Sequence, residues 1–305
     1  MSIINKYKKY FFNPKKLIIP LGTRGFFNWL SDRKYLELAY WAQTGRKLNL
    51  KNPKTFNEKI QWLKLYDRKP EYSIYADKYE VRQFISATIG SEYLIPLIGI
   101  YKSVDEINWD DLPKQFVLKC THGSGSNIIC PDKSKLNIED AKIKLKKWMK
   151  KSWFWFGREW PYKNIKPRII VEEFLINEEN SIPNDYKCWA FNGEVKFINV
   201  HFHEEGKTKI NIYNTDWKLQ SFGMVYNNNL KINHIKPLNL VRMIKISEKI
   251  AKKIGSCFLR VDFYEVNGKL YSGEITFYPT SGFIRFFPDH NELDRKYGDL
   301  LELKR

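Results

Sequence analysis

The stretch RVDFYEVNGKLYSGEITF, residues 260–277, reads as a β-hairpin. Its turn is Asn267-Gly268, a dipeptide suited to the positive φ values of a two-residue hairpin turn, and β-branched and aromatic residues fill both flanks. Asp262 and Glu274 then lie on neighbouring antiparallel strands at nearly matching distance from the tip, where cross-strand Cβ atoms stand about 5 Å apart. Two carboxylates that close repel. A divalent cation would reconcile them, because Mg²⁺ takes oxygen ligands and commonly joins one or two carboxylates to nucleotide phosphates. Arg260 offers a simpler remedy. Alternation puts Arg260, Asp262 and Tyr264 on one face, so the guanidinium could neutralise the pair, and the hairpin alone leaves both readings open.

Upstream, the pattern alternates between helical and extended periods. Residues 31–65 read mainly as helix, with Tyr35, Leu38 and Trp41 at helical spacing and Phe56, Ile60 and Leu63 on one face after Pro53. Thr55 followed by Glu58 is a capping-box signature. A third helix, YADKYEVRQFISATIG, ends at Gly90. FVLKC and IIC are short strands around the flexible turn THGSGSN, and NIEDAKIKLKKWMKK is an amphipathic helix. RIIVEEFL, DYKCWAFNGEVKFINV and KINIYN are extended, with Asn192-Gly193 as a second hairpin turn. NLVRMIKISEKIAKKIG is a last helix stopping at Gly255. Helices grouped apart from antiparallel hairpins predict an α+β protein.

Two further segments carry chemistry. In FVLKCTHGSGSN a lysine, Lys119, ends an apolar strand and is followed by Gly123, Ser124, Gly125 and Ser126. An ammonium beside unobstructed backbone N–H groups supplies the materials of a phosphate cradle, although the loop matches neither the Walker nor the dinucleotide pattern. In RIIVEEFL an apolar strand runs into Glu172 and Glu173. Such an edge could pair its backbone with a base while a carboxylate takes a ribose hydroxyl; the plainer reading is a strand end with solvated acids.

Lysine strand, Gly-rich loop, VEE strand and Asp…Glu hairpin occur in the order found in the ATP-grasp superfamily, and the chain most resembles its TupA-like branch, from about Asn52 to Pro288. The resemblance implies an ATP-grasp fold: a basic, largely helical segment over 1–70, a first lobe with the phosphate loop over 71–167, and a second lobe over 168–305 carrying the adenine hinge and metal hairpin. It implies ATP and Mg²⁺ as cofactors. By the same resemblance Lys78 and Lys119 reach the phosphates and the loop from His122 through Ser126 closes over them. Glu172 or Glu173 and the backbone of Phe174 and Leu175 hold the adenine, while Asp185 and Lys187 take ribose, base or phosphate. Asp262 and Glu274 hold the metal, with Thr276 where the superfamily usually has asparagine. Arg260 steadies the acyl phosphate, with Ser281, Gly282 and Arg285 in an acceptor loop. Implied too is an ATP-dependent carboxylate–amine ligase that amidates an acidic sugar of a cell-envelope polysaccharide with an amino acid. A glycosyltransferase and a non-catalytic polyanion-binding module are the alternatives.

Charge and composition set the remaining expectations. Of an excess of 18 positive charges, 12 fall within residues 1–70, among Tyr7, Tyr10, Phe11, Phe12, Phe26, Phe27 and Trp29. Such a segment suits an anionic lipid surface, at about 1 kcal/mol per basic residue near it, or is simply a solvated basic face. No run of about eighteen apolar residues is present to span a bilayer, so a cytoplasmic protein with a peripheral contact at the inner membrane is expected, and no nucleic-acid partner. The four cysteines are scattered without a C-x-x-C pair and are expected as reduced thiols. His201, His203 and His234 lack metal-ligand spacing. The aromatic run WFWFGREWPYKN, with Arg158 and Glu159, reads equally as a sugar platform, making Arg158 a substrate-binding candidate, and as a loop packed on the core.

Overall fold

The computed structural model describes residues 14–178, 181–204, 207–228 and 235–304. Tyr7, Tyr10, Phe11, Phe12 and His234 therefore lie outside the described residues, as does the side chain of His203.

The chain opens with a short helix, α1 (Ile18–Thr23), and then α2 (Asp32–Thr44), where Ser31 caps the Lys34 N–H and Gly45 ends the helix in the left-handed region. Helix α3 (Phe56–Tyr66) carries the capping box in full: Thr55 accepts from the Glu58 N–H while Glu58 reaches back to the Thr55 N–H. Of the third predicted helix, over 75–90, the part Val81–Ile89 forms α5, while its first two residues end a separate short helix, α4 (Tyr72–Ala76). The cause is Asp77, whose Oδ1 accepts from the N–H groups of Tyr79 and Glu80 at 2.8 and 3.3 Å and so offers the backbone a turn in place of continued helix. Lys78 consequently sits on a turn.

Two antiparallel sheets follow. The first contains β1 (Leu97–Tyr101), β2 (Phe116–Cys120), β3 (Asn127–Cys130) and β4 (Ile169–Glu173) in the order β1-β4-β2-β3. Helix α5's successor α6 (Ile138–Met149) covers it, burying Ala141 and Leu145 against Phe116, Leu118, Ile169 and Val171. A short turn of helix, α7 (Phe154–Gly157), precedes β4. The second sheet contains β5 (Asp185–Phe191), β6 (Glu194–Glu204), β7 (Lys207–Tyr213), β9 (Phe258–Val266) and β10 (Lys269–Thr276), ordered β10-β9-β5-β6-β7; β8 (Gly223–Met224) lies between β7 and β9 in sequence and pairs with β11 (Phe286–Phe287). Helix α8 (Leu240–Ile254) turns Met243, Ile250 and Ala251 onto this larger sheet, and α9 (His290–Asp299) closes the far end. Because β4 pairs with both β1 and β2, RIIVEE, expected in the second lobe, lies in the first sheet. Phe56, Ile60 and Leu63, from the segment expected over 1–70, share the larger core with Trp189, Phe191 and Phe258.

Helices α3 and α9 approach closely enough to need a glycine. A Cβ on Gly298 would stand 2.2 Å from the Lys54 carbonyl oxygen and 2.7 Å from the Phe56 nitrogen, both backbone atoms that cannot swing aside. The same junction is tied by Lys59, whose Nζ donates to the carbonyls of Gly298 and Leu301 at 2.8 and 2.7 Å. Gly298→Ala is expected to destabilise the fold by about 2 kcal/mol through overpacking, read as a lower urea midpoint at unchanged slope.

Candidate functional site

The two sheets face each other across a cleft of 280 Å³ lined by Lys78, Lys119, Ser124, Gly125, Asn127, Glu172, Asp185, Lys187, Asp262, Tyr264, Gly273 and Glu274. A second, mostly apolar hollow of 110 Å³ adjoins it, walled by Ile95, Val117, Ile129, Phe174, Leu175 and Ile182 with Glu173 at its rim. Lys119, Asn127 and Tyr264 line both, so the two form one continuous space with a charged end and an apolar end.

The charged end is built by the opening hairpin. Asn267 and Gly268 take φ values of +50° and +75°, as the turn requires. From that turn the strands pair regularly to Ser272↔Phe263, then the register shifts so that Ile275 faces Val261. Gly273 and Glu274 together therefore oppose the single residue Asp262, which is a β-bulge. Counting from the turn without the bulge would set Gly273 opposite Asp262 and aim Glu274 at the other face. A Cβ on Gly273 would lie 3.2 Å from the Tyr264 ring and 3.3 Å from the Asp262 carbonyl oxygen, which suits the bulge to glycine.

Arg260 occupies the space between the two carboxylates. Its Nε and Nη2 donate to both oxygens of Asp262 at 2.7 and 2.6 Å, and Nη2 also reaches Glu274 Oε1 at 3.0 Å. Lys187 on β5 donates to Asp262 Oδ2 at 2.8 Å and to Asp185. Asp262 is only 1% exposed. Burial pushes its carboxyl up while Arg260 and Lys187 pull it back, and contacts this short describe the ionised form. Across the cleft Lys78 donates to the Gly123 carbonyl and stands 4.0 Å from Glu274 Oε2. Burial alone would raise Glu274, but Lys78 and Arg260 outweigh it and hold the carboxyl down to about 2.

A carboxylate depressed from 4.5 to about 2 contributes stability above its unfolded value that is lost as pH falls. Protonating Glu274 should therefore loosen the cleft between about pH 4.5 and pH 2. In Glu274→Gln this part of the acid sensitivity is expected to vanish, which urea midpoints across that range would measure.

Lys119 donates to Glu172 Oε2 at 2.6 Å, and Arg82 takes the other oxygen at 3.0 Å. Glu172 is thus used within the protein, whereas Glu173 is exposed beside the apolar hollow. Asp185 keeps one buried oxygen, Oδ1, without a partner at the cleft wall. In the loop from His122 through Ser126, Ser124 and Gly125 line the cleft, with Gly125 at φ +70° and open space around it. Gly123 packs against Trp153, and the Ser126 carbonyl accepts from the Cys120 N–H at 3.0 Å. His122 does not line the cleft: it is 5% exposed and its Nε2 bonds the Trp148 carbonyl at 3.2 Å, on the helix covering the first sheet.

Four expected substrate contacts are placed elsewhere. Arg158 is fully buried, donates to the Phe27 carbonyl at 2.8 Å and lies over the rings of Tyr35 and Trp155. It anchors the N-terminal helices and does not line the charged cleft. Ser281 is buried too, its carbonyl and hydroxyl oxygens each accepting from Lys64 at 2.8 Å, with Gly282 bonded through its carbonyl to Gln61 at 2.9 Å. Arg285 opens into a different hollow beside α9. Tyr162, unremarked in its aromatic run, does not line the cleft but senses its charges. Its hydroxyl is pushed far above the ordinary value, first by burial, then by Glu159 and Glu274, with Arg260 opposing. A position governed only by tertiary packing leaves no local signal to find it by.

An apolar end for a base, two ammonium groups and an open glycine loop for phosphates fit a nucleotide. The family model described as TupA-like ATPgrasp matches residues 58–302. The chain belongs to that family. Solved structures similar to this TupA-like ATPgrasp chain include an L-amino acid ligase from Bacillus licheniformis, at 11% identity and TM-score 0.47 over 83% of this chain and 57% of that one. A D-alanine–D-alanine ligase from Bacillus anthracis is similar at 15% identity and TM-score 0.43, over 82% and 69% of the two chains. The ADP complex of purK, N5-carboxyaminoimidazole ribonucleotide synthetase, is similar at 11% identity and TM-score 0.43, over 72% and 50%. The TupA-like chain thus spans about half the length of the last of these. No curated protein matches it. No helix among the described residues is long and apolar enough to cross a membrane.

The donor set also bears on a metal. Among the described residues no three His, Cys, Asp or Glu side chains converge on one point, so an ion in the cleft would meet at most two carboxylates and nucleotide phosphates would supply the remaining ligands, as Mg²⁺ commonly accepts. Glu274, with 35% of its side chain exposed and the Thr276 hydroxyl 3.3 Å away, is open to such an ion. Asp262 could join it only where Arg260 and Lys187 yield their bonds.

Proposed function

We propose that this chain is an ATP-dependent carboxylate–amine ligase. The observation that carries the reading is the continuous cleft in which an apolar hollow beside Phe174 and Leu175 leads to Lys119, Lys78 and the Ser124–Gly125 loop and then to Glu274, to which Arg260 is bonded. The adenine would lie in the hollow, where backbone groups at the end of β4 reach its edge, and the phosphates would extend toward the lysines. Phosphoryl transfer to a carboxylate needs charge stabilisation on the transferring oxygens more than covalent help from the protein. Lys78 and Lys119 supply fixed positive charge, and Arg260, held by Asp262 and Glu274, would face the acyl phosphate formed when the acceptor carboxylate takes the γ-phosphoryl group. An amine then attacks the acyl carbon, expelling phosphate and leaving an amide. Mg²⁺ held by Glu274, Thr276 and the nucleotide would add Lewis-acid neutralisation of the phosphate charge.

The acceptor is an acidic sugar of a cell-envelope polysaccharide and the amine an amino acid. Support for the surroundings is the basic charge of residues 1–70 and the exposed Phe26 and Trp29, at 68% and 79%, which suit peripheral contact with an anionic membrane face. Uronic-acid sugars paired with the common amino acids should give ATP-dependent phosphate release and an amide of the summed mass less one water. A product formed from a nucleotide-sugar alone, with ATP untouched, would replace this reading with glycosyl transfer.

A further inference from the structure

The hollow that receives Arg285 is separate from the nucleotide cleft and shares no residue with it. It measures 380 Å³, more than the cleft itself, and lies where α2, the start of α3, the loop after β10 and α9 meet. Three groups able to carry positive charge, Arg46, Arg285 and His290, line it, together with exposed Gln43 and half-buried Phe283, while the ring of Tyr40, 3% exposed, backs the wall. Those two rings stand 6.3 Å apart at a tilt of 40°. Arg46 is oriented by Asn291, whose Oδ1 accepts from Nη2 at 2.9 Å, and the Arg285 guanidinium is steadied over Phe287 at 5.1 Å. Among the described residues the one carboxylate on the wall is Asp294, which is 4% exposed and accepts the Asn57 N–H at 2.9 Å.

Guanidinium groups recognise carboxylates in a planar fork, amide and hydroxyl groups suit sugar hydroxyls, and aromatic faces suit the apolar side of a pyranose ring. We infer that this hollow is a second saccharide subsite, binding a carboxylate-bearing sugar unit of the acceptor away from the one being activated. An acceptor chain held at two places would be positioned without the nucleotide cleft having to contact more than one unit. The choice of an acidic saccharide rests on the ligase reading above; the hollow's charge and shape do not.

Titrating the full chain with trigalacturonate, maltotriose and inorganic phosphate by calorimetry, with and without a non-hydrolysable ATP analogue, tests this. Trigalacturonate is expected to bind, maltotriose about tenfold more weakly or less, and Arg285→Ala and Arg46→Ala each to weaken the trisaccharide about tenfold, the scale of one charge-assisted contact. Arg285→Lys should recover part of the loss, and affinity for the ATP analogue should stay unchanged. Both arginines are exposed, so melting curves should match the wild type. Failure of trigalacturonate to bind, undiminished binding in the double variant, equal binding of maltotriose, displacement by phosphate at similar concentration, or competition with the ATP analogue would each overturn the subsite. If the ATP analogue alone fails to bind, the ligase reading falls while the subsite stands.

Discussion

Lys119→Met is expected to lower ATP-dependent phosphate release by about 10²–10³-fold, the scale seen when one preorganised charge-stabilising group is removed from a closed site. Lys119 stands at the junction of the apolar hollow and the charged cleft, lining both. Its ammonium is fixed by Glu172 at 2.6 Å, so it is already oriented before a phosphate arrives. The substitution should leave the fold intact, because Glu172 keeps Arg82 at 3.0 Å and a methionine fills a similar volume at the end of β2. Single-turnover phosphate release and the affinity for a fluorescent ATP analogue would be measured together. Turnover within threefold of wild type would mean that no phosphate passes Lys119.

Arg260→Met should produce the largest loss of stability, about 3–5 kcal/mol, because it breaks a buried ion pair and leaves a carboxylate without its main partner. Asp262 would retain Lys187 alone, at 2.8 Å, in a setting where it is 1% exposed, and Glu274 would retain Lys78 at 4.0 Å. Urea denaturation measures the cost, and Arg260→Lys should recover only part of it, since an ammonium cannot reproduce the two-pronged contact on Asp262. If the cost arises from the stranded charge, it should shrink when Asp262→Asn is already present. A single-variant loss below about 1 kcal/mol would place the charge balance of the cleft on Lys187 and Lys78 instead.

The comparison of pattern with structure turns on which features are local. The cap at Thr55, turns at Asn192-Gly193 and Asn267-Gly268, and the stops at Gly90 and Gly255 all follow from side-chain and backbone chemistry within a few residues, and each is where the pattern places it. Lys78, Lys119, Ser124, Gly125, Asp185, Lys187, Asp262 and Glu274, singled out in separate segments, converge on one cleft. Arg158 and Ser281 did not join them. Both are polar residues in segments whose partners, Phe27 for one and Lys64 for the other, lie more than a hundred positions away in the chain. His122 was drawn off in the same way by a carbonyl on α6.

What the sequence by itself determined was the family, the helices and hairpins, and most of the residues that could hold a nucleotide, because periodicity, capping and turn chemistry act between near neighbours. Only the tertiary structure decided that a bulge at Gly273 turns Glu274 toward Asp262, that Arg260 stands between them, and that Arg285 faces a hollow of its own. Strand register and the burial of a charge depend on which distant segments pack together, and that choice is made by the whole core at once.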